Sequence, residues 1–396
     1  MYDAIIVGAR CAGAPVALLL ARLGYRVLLL DKSTFPSDIM STHYIHPPGV
    51  ARMKRWGVLD KVLATNCPPI DGFRFDIGPV AIEGMPPSFE GIGYGLCPRR
   101  IALDKILVDA AMEEGAELRE NFYVLGLTAD DGRVTGVRGR SGSGETVDHA
   151  RIVIGADGQH SIVARAVKAP EYRVVEAQGC AYYSYFSGVA DTSTELYPRL
   201  GRETLLFPTN DGMACIAVYR PHADFARYRA DVEGIFFGDI RETVPSLYER
   251  LADRRREEEF IGTADTRNFF RKPFGPGWAL VGDAGYHKDP ITGLGITDAF
   301  RDAELLVSAI HDGFSGRRPL EEALAGYEET RNRVAGPLYD MTIQQTRLES
   351  PEPMVAMFEA MNRDPDLKNS FFSSISGAAP GTELLAPDFL KAISRG

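Results

Sequence analysis

The sequence predicts a protein of the α/β class, with a parallel sheet covered by helices and a second, mainly antiparallel sheet. Two observations predict the parallel sheet. A short apolar run at 4–7 leads through a glycine-containing turn into a helical stretch, and a second buried run follows at 27–30. A third observation separates the second sheet: from 173 to 261, strands rich in tyrosine and phenylalanine replace the continuous aliphatic runs. This change of character indicates a second domain.

The turn after the first predicted strand reads Gly-Ala-Arg-Cys-Ala-Gly, from Gly8 to Gly13. A dinucleotide-binding turn carries a third glycine at the place of Arg10, where the backbone meets the pyrophosphate. We expect the Arg10 side chain to point away from the phosphates while its amide still donates; the alternative is a guanidinium that folds back onto a pyrophosphate oxygen. Asp31, at the end of the second strand, is placed to accept from ribose hydroxyls. An ordinary strand-turn-helix with a surface arginine is the alternative to a nucleotide site.

The rest of the chain continues the alternation of strands and helices. In order, we expect a loop at 37–50 and a helix through Lys61, short strands within 73–95, a helix at 101–113, strands near 118–126 and 133–138, and a buried strand at 153–154. The run 278–281 again has the pattern of a buried strand and leads into Gly282 and Asp283. A long helix is expected from Asp298 to about Asp312.

The chain of 396 residues is too long for one compact core, and 45% hydrophobic and 25% charged residues are ordinary for a globular protein. The net charge of −10 argues against a nucleic-acid surface, since no basic excess exists to displace counterions. Five cysteines without a CxxC pair favour a reducing compartment, and the scattered histidines give no zinc-binding pattern. No apolar run could span a bilayer, and no signal peptide precedes the first strand. We therefore expect a cytoplasmic protein without metal, nucleic-acid partner or membrane span.

Three stretches in order, DAIIVGARCAG…LLLD, IVIGADGQHS and WALVGDAGYHKDPITGLGITDAFRDA, resemble the FAD fingerprints of the p-hydroxybenzoate hydroxylase-like flavoproteins. These are the single-component (group A) flavin monooxygenases and their relatives. The resemblance implies a Rossmann-like FAD-binding domain beside the antiparallel substrate domain. We expect the FAD-binding domain at 1–72, 96–172 and 262–340, the substrate-binding domain at 73–95 and 173–261, and a C-terminal helical extension at 341–396.

The resemblance also implies roles for particular residues. Asp283 corresponds to the aspartate that holds the ribityl chain, Arg100 to the arginine that leads a helix towards the ribityl-pyrophosphate stretch, and Asp157 to the second fingerprint. The helix after Gly295 would direct its amide dipoles at the N1–O2 edge of the flavin, where reduced flavin carries negative charge. The candidate cofactor-binding residues are Gly8, Arg10, Cys11, Ala12, Gly13, Asp31, Lys32, Arg100, Asp157, Asp283, Pro290, Gly293, Leu294, Gly295 and Ile296.

The sequence departs from the family pattern at four places. Arg10 replaces the middle glycine, Ala164 stands where the family often has arginine, Tyr286 takes the usual histidine place, and Thr297 replaces a common asparagine. None of these changes removes a backbone contact. They bear on substrate and nicotinamide preference rather than on FAD binding.

The family mechanism implies an NAD(P)H-dependent monooxygenase. NADPH or NADH reduces the FAD, molecular oxygen adds to give a flavin hydroperoxide, and an aromatic or other apolar substrate is hydroxylated or epoxidised. A flavin-dependent reductase or dehydrogenase of a hydrophobic unsaturated substrate is the alternative, and a flavin-free binding protein is a third reading. The Trp-x-Trp-x-Ile-Pro stretch of tryptophan-type halogenases and the Tyr-x-Trp-x-Phe-Pro stretch of geranylgeranyl-reductase-like enzymes are both missing from the sequence.

Candidates for contact with the substrate come from one loop and from the aromatic strands. His43 and His46 are candidate catalytic residues, because histidine relays protons near neutral pH and hydroxylation often removes a hydroxyl proton. The alternative is that they cap the next helix or pack on the adenine side. Aromatic side chains suit a flat, largely apolar ligand, although plain core packing is the alternative. The substrate candidates are Tyr183, Tyr185, Phe207 and Tyr219.

Overall fold

The computed structural model describes residues 1–41, 43–142, 144–189 and 193–379 of the chain. The first elements in chain order are β1 (Tyr2–Val7), α1 (Gly13–Arg22), β2 (Val27–Leu30), α2 (Pro47–Trp56), α3 (Leu59–Leu63), β3 (Gly72–Asp76), β4 (Ala81–Gly84), α4 (Arg100–Glu113), β5 (Glu117–Arg119), β6 (Tyr123–Asp130), β7 (Arg133–Ser141), β8 (Gly144–Gly155), α5 (Ile162–Ala166), β9 (Glu171–Val175) and β10 (Gly179–Ser187).

The second part of the chain adds the remaining strands and the longest helices. Its elements are β11 (Ser193–Arg199), β12 (Arg202–Pro208), β13 (Ala214–Pro221), α6 (Phe225–Ala230), α7 (Val232–Thr243), α8 (Pro245–Arg250), β14 (Arg255–Arg256), β15 (Ile261–Thr263), β16 (Asn268–Arg271), β17 (Phe274–Gly275), β18 (Trp278–Leu280), β19 (Tyr286–His287), α9 (Gly295–Phe314), α10 (Leu320–Gln345), α11 (Val355–Arg363) and α12 (Pro365–Ile375).

The parallel sheet is built around β1, which lies between β2 and β8 and is parallel to both. The strand order is β17-β18-β8-β1-β2-β5, and β6 and β7 extend β8 as an antiparallel meander. Strand β2 is buried along its whole length. This burial arises because α1, α4 and α9 cover one face of the sheet, while α5 and the meander cover the other. The predicted β-α-β unit is confirmed.

The second sheet has the strand order β14-β10-β13-β12-β11-β3-β4, with β15 also paired to β10. Its pairs are antiparallel, except that β11 runs parallel to β3. Successive residues of β10 face opposite sides, so that Tyr183 and Tyr185 join an apolar cluster with Ile291, while Tyr182 and Phe186 pack under α6–α8. The mainly antiparallel second sheet is confirmed, and one of its faces meets the loop around Ile291.

The C-terminal helices cover that same face of the second sheet. Phe358 of α11 packs on Phe75 with ring centroids 5.4 Å apart, and Phe372 of α12 packs on Phe73 at 5.7 Å. Because α10 continues to Gln345, the extension expected from residue 341 begins inside a helix. The last part of that expected extension, 380–396, lies outside the described residues.

Several boundaries differ from the sequence expectation. Helix α2 begins at Pro47, inside the loop expected at 37–50. Gly57 adopts the left-handed φ of 79° that ends a helix, so the helix expected through Lys61 is divided into α2 and α3. Helix α9 begins at Gly295, and Asp298 occupies its first turn. Strand β9 crosses the expected boundary at 172 and forms a third sheet with β16 and β19. Among the described residues, no helix has the length and apolar character needed to cross a membrane.

Candidate functional site

The turn between β1 and α1 leaves no room for side chains at its two glycines. Gly8 has a φ of 100°, and a Cβ atom there would lie 2.4 Å from the carbonyl oxygen of Ala156. A Cβ atom on Gly13 would lie 1.8 Å from the carbonyl oxygen of Gly8. The Ala156 amide donates to the Val7 carbonyl at 2.8 Å, which fixes the second fingerprint against the first. Backbone groups therefore form the surface of the turn, as a pyrophosphate cradle requires.

The third fingerprint reaches the same turn. Gly282 has a φ of 58°, and a Cβ atom there would lie 2.7 Å from the Cβ atom of Ala12. Asp283 follows with an exposed carboxylate, close enough to Arg100 to stabilise the arginine's charge. The structure thus brings together Gly8, Ala12, Gly13, Arg100 and Asp283, which the sequence places in three separate segments.

The Arg10 side chain is held by protein groups. Its Nη1 donates to Asp104 Oδ2 at 2.6 Å, and its Nη2 donates to Ser37 Oγ at 2.8 Å. The guanidinium also lies 5.3 Å from the centre of the Phe35 ring. Of the two orientations considered from sequence, the structure has the one in which the side chain turns to other protein groups. The alternative, with the guanidinium folded onto a pyrophosphate oxygen, would break these hydrogen bonds.

Asp104 of α4 is a site residue that the sequence interpretation missed. It is fully buried and accepts from Arg100 Nε and Nη2 at 3.0 Å each, from Arg10, and from the Cys11 thiol at 3.3 Å. Two guanidinium groups share this carboxylate, and the Asp283 carboxylate lies near Arg100, so two cations face two carboxylates beside the glycine turn. The sequence held one signal for this pair, because Arg100 and Asp104 are spaced one helical turn apart.

Asp31 and Asp157 both bind backbone amides. Asp31 Oδ2 accepts from the Ala9 amide and Oδ1 accepts from the Ser33 amide, each at 2.8 Å. Asp157 Oδ2 accepts from the Ile162 amide at 2.6 Å, while its buried Oδ1 has no hydrogen-bond partner among the described residues. Burial raises the pKa of Asp157 above its ordinary value. Lys32, in contrast, is exposed beside Asp31.

The N-terminus of α9 carries Gly295 and Ile296, and no side chain caps it. The preceding turn contains Pro290 and ends at Gly293, whose φ of 64° reverses the chain into Leu294 and the helix. Amides without side-chain caps at the start of a long helix favour a negative group. Helix α1 likewise begins without a side-chain cap. The turn at Gly8 has no side chains at its two glycines. Together with it, these two helix ends fit a cofactor that carries a pyrophosphate and a ring system bearing negative charge.

His46 ties the loop before α2 to the start of α9. Its amide donates to Thr297 Oγ1 at 3.1 Å, and its Nε2 lies 3.4 Å from the Thr292 carbonyl oxygen. The Tyr44 ring packs on the His46 ring at 4.6 Å and faces Gly293. Burial lowers the pKa of His46 to about 4. Thr297, which departs from the family pattern, therefore accepts the hydrogen bond that holds the loop before α2 to the start of α9.

His43 faces the second sheet. It is fully buried with a left-handed φ of 64°, and its Nε2 lies 2.8 Å from the hydroxyl of Tyr185. Its Nδ1 has no hydrogen-bond partner among the described residues. Burial, followed by the positive charge of Arg100, lowers the pKa of His43 to about 3. Both histidines are therefore neutral near pH 7, and the titration that motivated their choice as proton relays lies well below that pH.

The four aromatic substrate candidates lie on one face of the second sheet, in one apolar cluster. Tyr183 accepts from the Ser41 amide, Phe207 packs on Tyr44 with ring centroids 5.5 Å apart, and Arg99 lies 3.9 Å over the Tyr185 ring. None of the four is more than 6% exposed, so each is packed into the cluster as a core side chain. Their contact with a substrate stays a prediction.

Tyr219 lies at the other end of this face, beside the Asp289 carboxylate. Burial raises the pKa of Asp289 to about 6. Glu203 of β12 is fully buried, and both of its oxygens accept from Gln345 Nε2 at 3.0 Å. Burial raises the pKa of Glu203 to about 8. No sequence pattern marked Glu203 or Asp289, because their environment depends on how α10 packs against the sheet.

A buried charge cluster supports the first turn of α9. Asp298 in that turn binds Lys288 Nζ, and its Oδ1 accepts from Arg301 Nη1 at 2.6 Å. Arg301 Nε donates to Asp302 Oδ1 at 2.8 Å. Two cations thus neutralise two carboxylates, so the acidic first turn adds no net negative charge at the helix N-terminus.

Comparison with known proteins gives one family and several relatives. A family model described as FAD binding domain matches residues 1–342. Digeranylgeranylglycerophospholipid reductase 2 of Methanopyrus kandleri is 25% identical over 93% of this chain and 92% of its own. 6-Methylpretetramide 4-monooxygenase of Streptomyces rimosus is 25% identical over 84% of this chain and 80% of its own. The solved structure of the flavin-dependent brominase Bmp2 superposes with a TM-score of 0.84 at 19% identity, over 100% of this chain and 98% of the brominase.

These similarities confirm the resemblance noted in the sequence. The matched residues include all three fingerprints, so FAD is the cofactor that the domain binds. The likeness to the brominase shows a shared fold.

Proposed function

The chain belongs to the FAD-binding domain family of flavin-dependent oxidoreductases, and from this premise we propose that it is an NAD(P)H-dependent monooxygenase. Its substrate is an aromatic or other apolar small molecule, and molecular oxygen is the second substrate. The observation that carries the proposal is the aromatic face of the second sheet. It packs on Ile291 in the loop 290–294 before α9, where the family resemblance would place the flavin ring; we call this segment the flavin loop. The similarity to a Streptomyces monooxygenase supports the same reaction class.

The residues at the glycine turn suit the cofactor's polar half. The amides from Gly8 to Gly13 would hold the pyrophosphate, with the Arg100 guanidinium beside them. Asp31 would accept from the adenosine ribose and Asp283 from the ribityl hydroxyls. When bound, FAD supplies the electron transfer and the activation of oxygen.

The aromatic face shields one side of the flavin loop from water. Ile291 of that loop lies in one apolar cluster with Tyr44, Tyr183, Tyr185 and Phe207. A dry surrounding suppresses loss of reactive oxygen species to water and strengthens the electrostatic contacts of the reacting groups. The unpaired amides of α9 add a positive dipole end at the same place. These features suit oxygen transfer to an apolar substrate.

The two histidines have different assignments under this proposal. The His46 ring contacts the Thr292 carbonyl and its backbone amide donates to Thr297, so the imidazole would lie beside the flavin loop. His43 shares a hydrogen bond with Tyr185 and holds the loop against the sheet. Both imidazoles are neutral at pH 7, and burial makes each a weaker proton acceptor than a free imidazole.

A reductase of a hydrophobic unsaturated substrate is the second candidate function. The similarity to an archaeal digeranylgeranylglycerophospholipid reductase over 93% of this chain favours it. The same dry aromatic face would suit a hydride transfer. The two reactions differ in the fate of oxygen, which makes them separable in one experiment.

The test uses the purified flavoprotein with NADPH or NADH and a panel of aromatic and polyprenyl compounds under oxygen-18 gas. We expect one compound to accelerate nicotinamide oxidation and to gain a single labelled oxygen atom. A compound that gains two hydrogens under nitrogen and no label under oxygen would overturn the monooxygenase and support the reductase. Omission of the organic compound, with nicotinamide present, is the control for uncoupled nicotinamide oxidation.

A further inference from the structure

A cavity of about 550 Å³ lies between α2, α9 and α10, outside the packed aromatic cluster. This volume is in the range of small-molecule sites. Leu294 and Thr297 form part of its wall, so the cavity reaches the first turn of α9 from the side. Of the residues expected to hold FAD, Leu294 alone lines it. The cavity is therefore beside the cofactor cradle and separate from it.

The cavity also lies away from the segments expected to bind the substrate. Of the segment 73–95, Phe89 lines the cavity, and no described residue of the segment 173–261 lines it. The aromatic candidates on the second sheet are packed as core, whereas this cavity is open space among the described residues and adjoins the flavin loop. A ligand can occupy it without displacing side chains from a core.

Its wall combines apolar surface with an excess of positive charge. Most of the wall is apolar, including Leu305, Pro337 and Leu338. Its charged side chains are three arginines and one carboxylate: Arg52, Arg301, Arg333 and Asp298. Arg52 and Arg301 are engaged by Glu304 and by Asp298 and Asp302. Arg333 on α10 is exposed and makes no ion pair with a carboxylate of the described residues. Arg333 is therefore the cation at the cavity that a ligand can neutralise.

We propose that this cavity binds an apolar small molecule that carries one anionic group, with the apolar body between α9 and α10 and the anion at Arg333. The cavity wall at Thr297 then brings the apolar body to the flavin loop and to His46, whose amide binds the same threonine. The identification of this molecule as the substrate class rests on the proposed function. The binding itself does not depend on it.

The experiment compares two probes with the same apolar body. 1-Anilinonaphthalene-8-sulfonate carries a sulfonate, and N-phenyl-1-naphthylamine lacks it. Binding to the FAD-loaded protein is measured by isothermal titration calorimetry without nicotinamide. We expect the sulfonate to bind at least tenfold more tightly than the neutral amine, and added salt to reduce that difference because Arg333 is exposed. The 450 nm region of the flavin spectrum should shift when the sulfonate binds, since the cavity adjoins the flavin loop.

Three variants locate the binding. Arg333→Gln should weaken the sulfonate about tenfold and leave the neutral amine unchanged. Arg363→Gln is the matched control, because Arg363 is another exposed helical arginine and lies outside the cavity wall. Val334→Trp places bulk at a partly exposed position of the wall and should weaken both probes.

Two results would overturn the proposal. Equal affinity of the two probes would show that Arg333 does not bind the anionic group. An unchanged sulfonate affinity in Arg333→Gln would show the same. Undiminished binding of both probes to Val334→Trp would place them elsewhere on the protein. Because no turnover is measured, a protein without monooxygenase activity can still pass this test, and a failed test leaves the oxygen-labelling experiment to decide the reaction.

Discussion

Arg10 and Asp104, 94 residues apart in the chain, form an ion pair in which Nη1 and Oδ2 lie 2.6 Å apart. Asp104 is fully buried, and Arg100 shares its carboxylate from the same helix. A guanidinium thus occupies the place that a glycine has in related turns, and it connects the turn to α4 instead of obstructing it. The substitution at position 10 is compensated by a residue in another segment.

Arg10→Gly should therefore lower the stability of the protein more than it weakens FAD binding. We expect FAD affinity to stay within tenfold of the parent, because the backbone of the turn is unchanged. The free energy of unfolding should fall by about 1–3 kcal/mol, since Asp104 loses one charged partner and keeps Arg100. Urea unfolding and flavin fluorescence measure the two effects.

A double-mutant cycle with Asp104→Asn tests the same pair. The cost of the double variant should be smaller than the sum of the single costs, because each single change leaves a charge without its partner. Strict additivity would show that the pair contributes nothing to stability. Loss of flavin in Arg10→Gly alone would instead make the arginine a ligand of the cofactor.

Asp283→Ala should purify without yellow colour and remain folded. The carboxylate is exposed, so the fold does not depend on it, whereas ribityl hydroxyls that lose it are left without their acceptor. Absorbance at the flavin bands and circular dichroism give the two readouts. Asp265→Ala, which removes another exposed carboxylate, is the control and should stay yellow. A fully flavin-loaded Asp283→Ala protein would contradict the role of the third fingerprint.

Glu203→Gln should stabilise the protein at alkaline pH. Burial raises the folded-state pKa of Glu203 to about 8, above the ordinary value of 4.5. The stability that the protonated form contributes is present below about pH 4.5 and is lost as the pH rises through about 8, at up to about 1.4 kcal/mol per pH unit. The free energy of unfolding of the variant minus that of the parent should therefore be larger at pH 8 than at pH 5. Urea unfolding at the two pH values measures this difference. An identical difference at both pH values would show that Glu203 does not titrate on unfolding.

His43→Ala and His46→Ala should slow substrate-stimulated turnover to unequal extents. We expect at least a tenfold loss for His46→Ala, because the change removes the imidazole that contacts the Thr292 carbonyl at the flavin loop, and a smaller loss for His43→Ala. FAD content should be unchanged in both. The pKa values of about 3 and about 4 predict no inflection from either histidine between about pH 6 and 9. Parental turnover in both variants across that range would make the loop a scaffold.

The sequence was sufficient for features that depend on local pattern. The β-α-β unit, the glycine turn and the first turn of α9 follow from residues close together in the chain, such as Gly8 and Gly13. The Arg100–Asp104 pair was within reach, because its spacing is one helical turn. Three features could not be predicted from the sequence, since each depends on which helices meet in the folded chain. They are the pairing of Arg10 with Asp104, the burial of Glu203 and the cavity beside Leu294. The pKa values of His43 and His46 differ from expectation for the same reason.

The helices that cover the second sheet come late in the chain. Phe73 and Phe75 belong to β3, while the rings that cover them, Phe358 and Phe372, follow almost three hundred residues later. A ribosome adds roughly 5–20 residues per second, so this apolar face is made long before its cover. During synthesis the nascent chain carries an uncovered aromatic surface, which is the kind of surface that holding chaperones bind. Completion of α11 and α12 then covers this aromatic surface.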